Sequence, residues 1–312
     1  MSVVITNCTN RKRGVVITSL SASSLDVGTV DDVAAQWIER LKNAIAPKVA
    51  RNTYCGRSFR EAESSAISLN APLYIVSAGL GVVESNSAVP VYNLTVSTGT
   101  SNTISNRIIG TTTPQSWWST ISKGTRFGSS LLDVLAKHPN DLILIALSRP
   151  YIEMIHHELL QIAPNQGRRL RFFGKNLDNV LPALLSNNWM PYDDRLDFAG
   201  IGCSGTQADF AQRSLRHFVG RVLPDASNDS CAEAHRTAVL TTLENLEVRK
   251  AEKRTRIDDV GIDAAIRDNW EHGKGQSSAL LRILRHEIGI ACEQSRFRKI
   301  YHAIKKTMET AS

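Results

Sequence analysis

Three short runs constrain this chain most: residues 3–6, 73–76 and 142–147 are apolar, rich in aliphatic and β-branched side chains, and too short for helices. Runs of that kind suit strands buried on both faces. Helical spacing separates them. Val30, Val33, Ala34, Trp37, Ile38, Leu41, Ala44 and Ile45 recur at helical intervals, with Asp31 and Asp32 in the first turn where the helix dipole favours acids. Helices are also expected over residues 58–69, 129–136 and 150–162, the last with Pro150 at an early position. Residues 15–18 read as a further strand. Residues 170–173, 176–185 and 198–201 continue the alternation, and Ser204, Gly205, Thr206 and Gln207 read as a capping box opening a helix to residue 219. Strands alternating with helices predict an α/β fold whose mainly parallel sheet is flanked by helices. Residues 85–126, rich in Ser, Thr, Asn and Gly, are expected to form a long loop, functional or disordered.

A chain of 312 residues favours two domains. From about residue 228 the strand signals stop, and a long helix over 232–246 runs into a basic stretch. Residues 245–312 hold 14 Lys and Arg against 10 Asp and Glu. We therefore expect an α/β domain over residues 1–225 and a basic, all-helical module over 226–312. The net charge of +7 favours a polyanionic partner. Residues 277–306 read as helix, turn, helix, with Leu280, Leu281 and Leu284 on one buried face and Phe297, Ile300, Tyr301 and Ile304 on the other. Arg296, Arg298 and Lys299 stay outward as candidate DNA contacts. The plainer reading is a charged helical hairpin. Five scattered cysteines, no membrane-length apolar run and no leader pattern suggest a soluble cytoplasmic protein with no membrane partner. Neither His nor Cys shows metal-ligand spacing, so no metal or cofactor is expected.

The chemistry is expected at strand ends, because α/β folds bind ligands outside the carboxyl ends of their strands. The first strand delivers Asn7, Cys8 and Asn10 and a basic turn of Arg11, Lys12 and Arg13 that suits a phosphate. Cys8 is a possible nucleophile if something activates it. Tyr54 could stack on a base and Arg57 could pair a phosphate, or both could serve an ordinary core and helix start. Ser77, Gly79, Gly81 and Glu84 follow the strand at 73–76, with glycines that allow close approach of backbone to ligand. Tyr92 and Asn93 could stack on and hydrogen-bond a flipped base. Ser148 and Arg149 end the strand at 142–147 and open a helix, where a phosphate is favoured.

These segments resemble the uracil-DNA-glycosylase-like domain that accompanies archaeosine synthase, and the related YaaA-type proteins. The matching elements are the Cys- and Lys-containing turn at residues 8–13, the aromatic–x–x–x–Phe-like segment at 54–59, the Ser-Ala-x-x-Gly-Leu-like turn at 77–83, and Pro90, Tyr92 and Asn93 after it. The resemblance covers residues 3–200. The Gly-Gln-Asp-Pro-Tyr motif of true uracil-DNA glycosylases is missing, and His138, Pro139 and Asn140 precede a strand instead of following one. The resemblance thus implies a glycosylase-like pocket for a modified base in duplex DNA. An anti-phage enzyme would combine such a fold with a DNA-binding tail. In that reading Glu84 stabilises the sugar cation and orients water, with Asn10 and Asn7 beside it. Tyr54, Tyr92, Asn93, Ser77 and Ser148 hold the base, and Arg11, Lys12, Arg57 and Arg149 hold phosphates. Alternatives are a non-catalytic nucleic-acid-binding protein and an enzyme acting on free nucleotides or deazapurines.

Overall fold

The apolar runs pair as one sheet in a computed structural model, which describes residues 1–110, 113–225, 231–248 and 254–310. The strands are β1 (Ser2–Asn7), β2 (Leu73–Ser77), β3 (Gly81–Glu84), β4 (Leu142–Ala146) and β5 (Leu170–Phe173), in the order β3-β2-β1-β4-β5. β2, β1, β4 and β5 are parallel, and only β3 runs against its neighbour. The chain leaves β1 towards β2 and later returns to add β4 on the other side. The carboxyl ends of β1 and β4 therefore flank a topological switch point, where open α/β sheets place their ligand crevice.

The sheet is covered by α1 (Val30–Lys42), α2 (Arg57–Ser68), α3 (Pro114–Gly124), α4 (Leu131–Lys137), α5 (Arg149–Met154), α6 (Phe210–His217) and α7 (Ala232–Leu243). Capping boxes start α1 at Thr29 with Asp32, α3 at Thr113 with Ser116, and α4 at Ser130 with Asp133. Residues 85–126 are no single loop. They contribute Ala88–Val89, which pairs with Lys48–Val49, and α3, which buries Trp117, Trp118 and Ile121. Residues 15–18 form no strand; Val15 and Ile17 are exposed, with no sheet edge to cover them. Residues 176–185 and 198–201 hold turns of 3-10 helix, at Ala183–Asn188 and Ala199–Ile201. The helix at 150–162 breaks after Met154, and the capping box expected at 204 sits at Thr206 with Asp209.

Contacts divide the chain into Met1–Arg249 and Lys250–Ser312, not at residue 225. The reason is α7, which joins the first unit: His235, Val239 and Leu243 are buried, Arg171 Nε donates to His235 Nδ1 at 2.8 Å, and the His235 ring meets Phe218 edge-on. The second unit contains α8 (Asp259–Asp268), α9 (Ser277–Arg282) and α10 (Gln294–Thr310). Its core joins Ile262, Ile266, Leu280, Leu284, Phe297, Tyr301 and Ile304, so the two expected faces do meet. It is not wholly helical, because Thr255–Arg256 pairs in parallel with Ile290–Ala291.

Two buried histidines make the first unit acid-sensitive. Burial, helped by Arg221, holds His217 down to about 4, and burial with Arg171 does the same for His235. Unfolded, both rings take a proton near 6.5. The unfolded chain therefore binds more protons between those values. The stability these rings contribute is complete above pH 6.5 and declines as the pH falls towards 4. Urea unfolding at a series of pH values should show a fall on the order of a few kcal/mol across that window. Converting both rings, His217→Gln and His235→Gln, should flatten it.

Candidate functional site

At the carboxyl ends of β1 and β2, the three segments singled out from the sequence meet. The turn after β1 folds over Tyr54: Arg13 N donates to Thr53 O at 2.8 Å, Cys55 N to Arg11 O at 3.2 Å, and Lys12 bridges Tyr54. Tyr54 Oη lies 3.2 Å from Tyr92 Oη, and Tyr92 Oη lies 2.5 Å from Ser77 Oγ. Ser77 Oγ also accepts from Leu80 N. Cys8 Sγ is 3.1 Å from Tyr151 Oη on α5. Over this floor sits half-buried Lys12, its Nζ 4.1 Å from the Tyr92 ring centre and donating to Thr9 O at 3.1 Å.

The electrostatics follow from burial. Desolvation pushes the phenols of Tyr54, Tyr92 and Tyr151 up, and the neighbouring Cys8 pushes them further. They stay protonated. Desolvation lowers the pKa of Lys12, against the opposing pull of Cys8 and Cys55. Among the described residues no carboxylate contributes to any of these shifts. The site thus brings together the Lys12 amine, the Cys8 and Cys55 thiols and three phenols.

Several sequence expectations change here. Glu84 is outside the site. Because β3 is antiparallel, Ser77 faces Gly81 and Glu84 faces Tyr74, about 10 Å back along the sheet. Its carboxylate pairs with Lys137 at 3.0 Å. Tyr54 and Tyr92 are 1% and 0% exposed, and Lys12 covers the Tyr92 face, so neither ring offers a stacking surface as it stands. Gly79 makes room for protein and not for a ligand: a Cβ there would lie 2.9 Å from Tyr92. Gly81, at φ +86°, opens the β3 hairpin against Ser129. Asn93 hydrogen-bonds through its backbone to Leu20 and Ala22. Arg57 is tied to Glu61, Asp209 and the Ser204 carbonyl, and Arg149 pairs with Glu153 at 2.8 Å. Asn10, Arg11 and Arg13 are exposed on the turn, and the two arginines make no ion pair among the described residues.

Asn7 and Ser148 do meet at the switch point, joined by a residue the sequence reading missed. Gln212, on α6, is 1% exposed. Its Nε2 donates to Asn7 Oδ1 at 2.9 Å, Thr6 Oγ1 at 3.1 Å and Ala146 O at 3.0 Å. Ser148 N reaches the same Asn7 oxygen at 3.3 Å. Gln212 Oε1 has no partner among the described residues, a buried acceptor whose desolvation costs about 1–3 kcal/mol. No local motif announces Gln212, because it arrives more than two hundred residues after Asn7.

The Tyr92 hydroxyl is the hub. Tyr92→Phe should cost about 1–3 kcal/mol, because Ser77 and Tyr54 would each keep a buried hydroxyl with one partner fewer. Thermal unfolding of the two forms checks this; an unchanged midpoint contradicts it. No protein-family model, curated protein or solved structure matches this chain.

Proposed function

We propose that this protein cleaves the N-glycosidic bond of a modified base in DNA, with the Lys12 amine as the attacking group. The observation that carries the reading is the convergence of the turn at 8–13, Tyr54 and the Ser77–Tyr92 pair on one lysine at the end of the central strand. Those are the segments on which the resemblance to glycosylase-like domains rests. Glu84 is engaged with Lys137, and among the described residues no carboxylate perturbs Lys12 or the phenols, which argues for amine chemistry, as a desolvated lysine supports.

Water is the one co-reactant. The Lys12 nitrogen lone pair attacks C1′ of the deoxyribose. The bond from C1′ to the base breaks, and its electron pair leaves with the base, which takes up a proton. The sugar ring then opens between C1′ and O4′, the oxygen is protonated, and a Schiff base joins C1′ to Lys12. Water releases the abasic sugar and restores the amine. The Gln212 carbonyl oxygen is an unpaired acceptor beside Asn7, suited to an N–H on a base edge. Substrate entry requires the turn at 9–14 to lift from Tyr92. Exposed Arg11 and Arg13 place cations on that turn for flanking phosphates. The test is mass spectrometry of bases released from a panel of modified phage DNAs. Free modified base and alkali-labile abasic sites are expected; an unaltered panel contradicts the reading.

The closure of both tyrosine rings favours a second reading, a nucleic-acid-binding protein that performs no bond cleavage. It predicts DNA binding unaffected by Lys12→Gln and no base release.

A further inference from the structure

We propose that the cleft of the second unit lined by Arg254, Arg256, Arg285 and Arg296 binds the phosphates of a nucleic-acid backbone. The cleft measures about 450 Å³ and lies where the paired segments Thr255–Arg256 and Ile290–Ala291 meet residues 285 and 292–296. Arg254 Nε donates to Arg285 O at 2.9 Å, and Arg285 donates through Nε and Nη2 to Cys292 O at 3.2 and 2.8 Å. The Cys292 carbonyl fixes the Arg285 guanidinium without cancelling its charge. Arg256 is exposed and has no partner among the described residues. Arg296 is held by Asp259 at 2.5 Å, and Glu293 is the only acid among the described lining residues. The cleft therefore keeps an excess of positive charge.

At α2 and α6 of the first unit, by contrast, Arg57, Arg213 and Arg216 are matched by Glu61, Asp197 and Asp209 and bind the fold to itself. Among the described residues no aromatic side chain lines the second unit's cleft, and none there stacks on a base. Phosphate oxygens are the complementary ligand, and binding should be independent of sequence. Arg298 and Lys299, expected from the sequence as DNA contacts, are exposed on α10 but do not line this cleft. The assignment shifts from them to Arg254, Arg256 and Arg285, with Arg296 common to both.

The inference rests on the proposed function only in taking DNA as the polyanion. The experiment is fluorescence anisotropy of a labelled duplex with the full chain across a salt series. The double variant Arg256→Gln with Arg296→Gln should bind about tenfold or more weakly, and the slope of log affinity against log salt should fall by about 1–2. Arg256→Gln alone, at an exposed position without an ion pair, should lower the slope by about 1 and keeps the test valid if the double variant unfolds. Arg298→Gln with Lys299→Gln should have the smaller effect. An unchanged slope in the cleft variants, an equal loss in the α10 pair, or no binding by the wild-type chain overturns the proposal. Inorganic pyrophosphate separates polymer from small anion: if it saturates the cleft while DNA does not bind, the nucleic-acid assignment falls. Binding is read without base release. A chain that binds DNA through the cleft but excises nothing sinks the glycosylase reading alone, and one that excises with cleft variants binding normally sinks this one alone.

Discussion

Replacing Lys12 should abolish base release. Lys12→Gln removes the amine over the Tyr54, Tyr92 and Ser77 floor, and the expected loss is on the order of 10³-fold or more, as for other attacking groups. Lys12→Arg separates chemistry from packing. A guanidinium can keep a cation over Tyr92 but does not deprotonate to attack carbon. It should fold with near wild-type stability, bind modified DNA and release nothing. If Lys12→Arg keeps more than about a tenth of the wild-type rate, attack by this amine is wrong and the lysine only positions or neutralises.

The largest expected effect on stability lies at Arg213. Its side chain is 1% exposed and donates to Asp209 Oδ1 at 2.8 Å, Asp197 Oδ1 at 2.7 Å, Cys203 O at 2.6 Å and Thr206 O at 2.9 Å. These bonds hold residues 197–206 against α6, the helix that carries Gln212 to the switch point. Arg213→Ala leaves Asp209 buried without its main counter-charge and should cost about 3–5 kcal/mol. Arg57, exposed and 3.5 Å from Asp209, compensates only in part. Urea unfolding measures the difference. A loss under about 1 kcal/mol would show that the network is replaceable by water.

The sheet was largely legible in the sequence because strands buried on both faces need uninterrupted apolar runs, and residues 3–6, 73–76 and 142–147 are such runs. Their carboxyl ends could be named for the same reason, and Tyr54, Ser77 and Tyr92 do meet there. Strand direction was not legible. Gly79 and Gly81 read as room for a ligand, whereas the tight turn they sit in reverses the chain and carries Glu84 to the other end of the sheet. Burial is not legible either, since a tyrosine that packs and one that stacks on a base look alike in sequence. The helix at Pro114–Gly124 had a local signal, Thr113 before Pro114 with Ser116 closing the cap, hidden by the polar composition around it. Residues 15–18 are a β-branched run like a strand but pair with no sheet edge, and Val15 and Ile17 are exposed. Gln212 and Arg213 depend on contacts between distant segments, which no window along the chain contains.

Attack of the proposed kind, by the Lys12 amine on C1′ of the sugar, passes through a Schiff base. Borohydride added during turnover of modified DNA reduces a Schiff base to a stable amine, so the wild-type chain should become cross-linked to DNA. Peptide mapping by mass spectrometry should place the adduct on Lys12 and on no other lysine. Base release without any trapped adduct, or an adduct mapped to a different residue, would contradict the account.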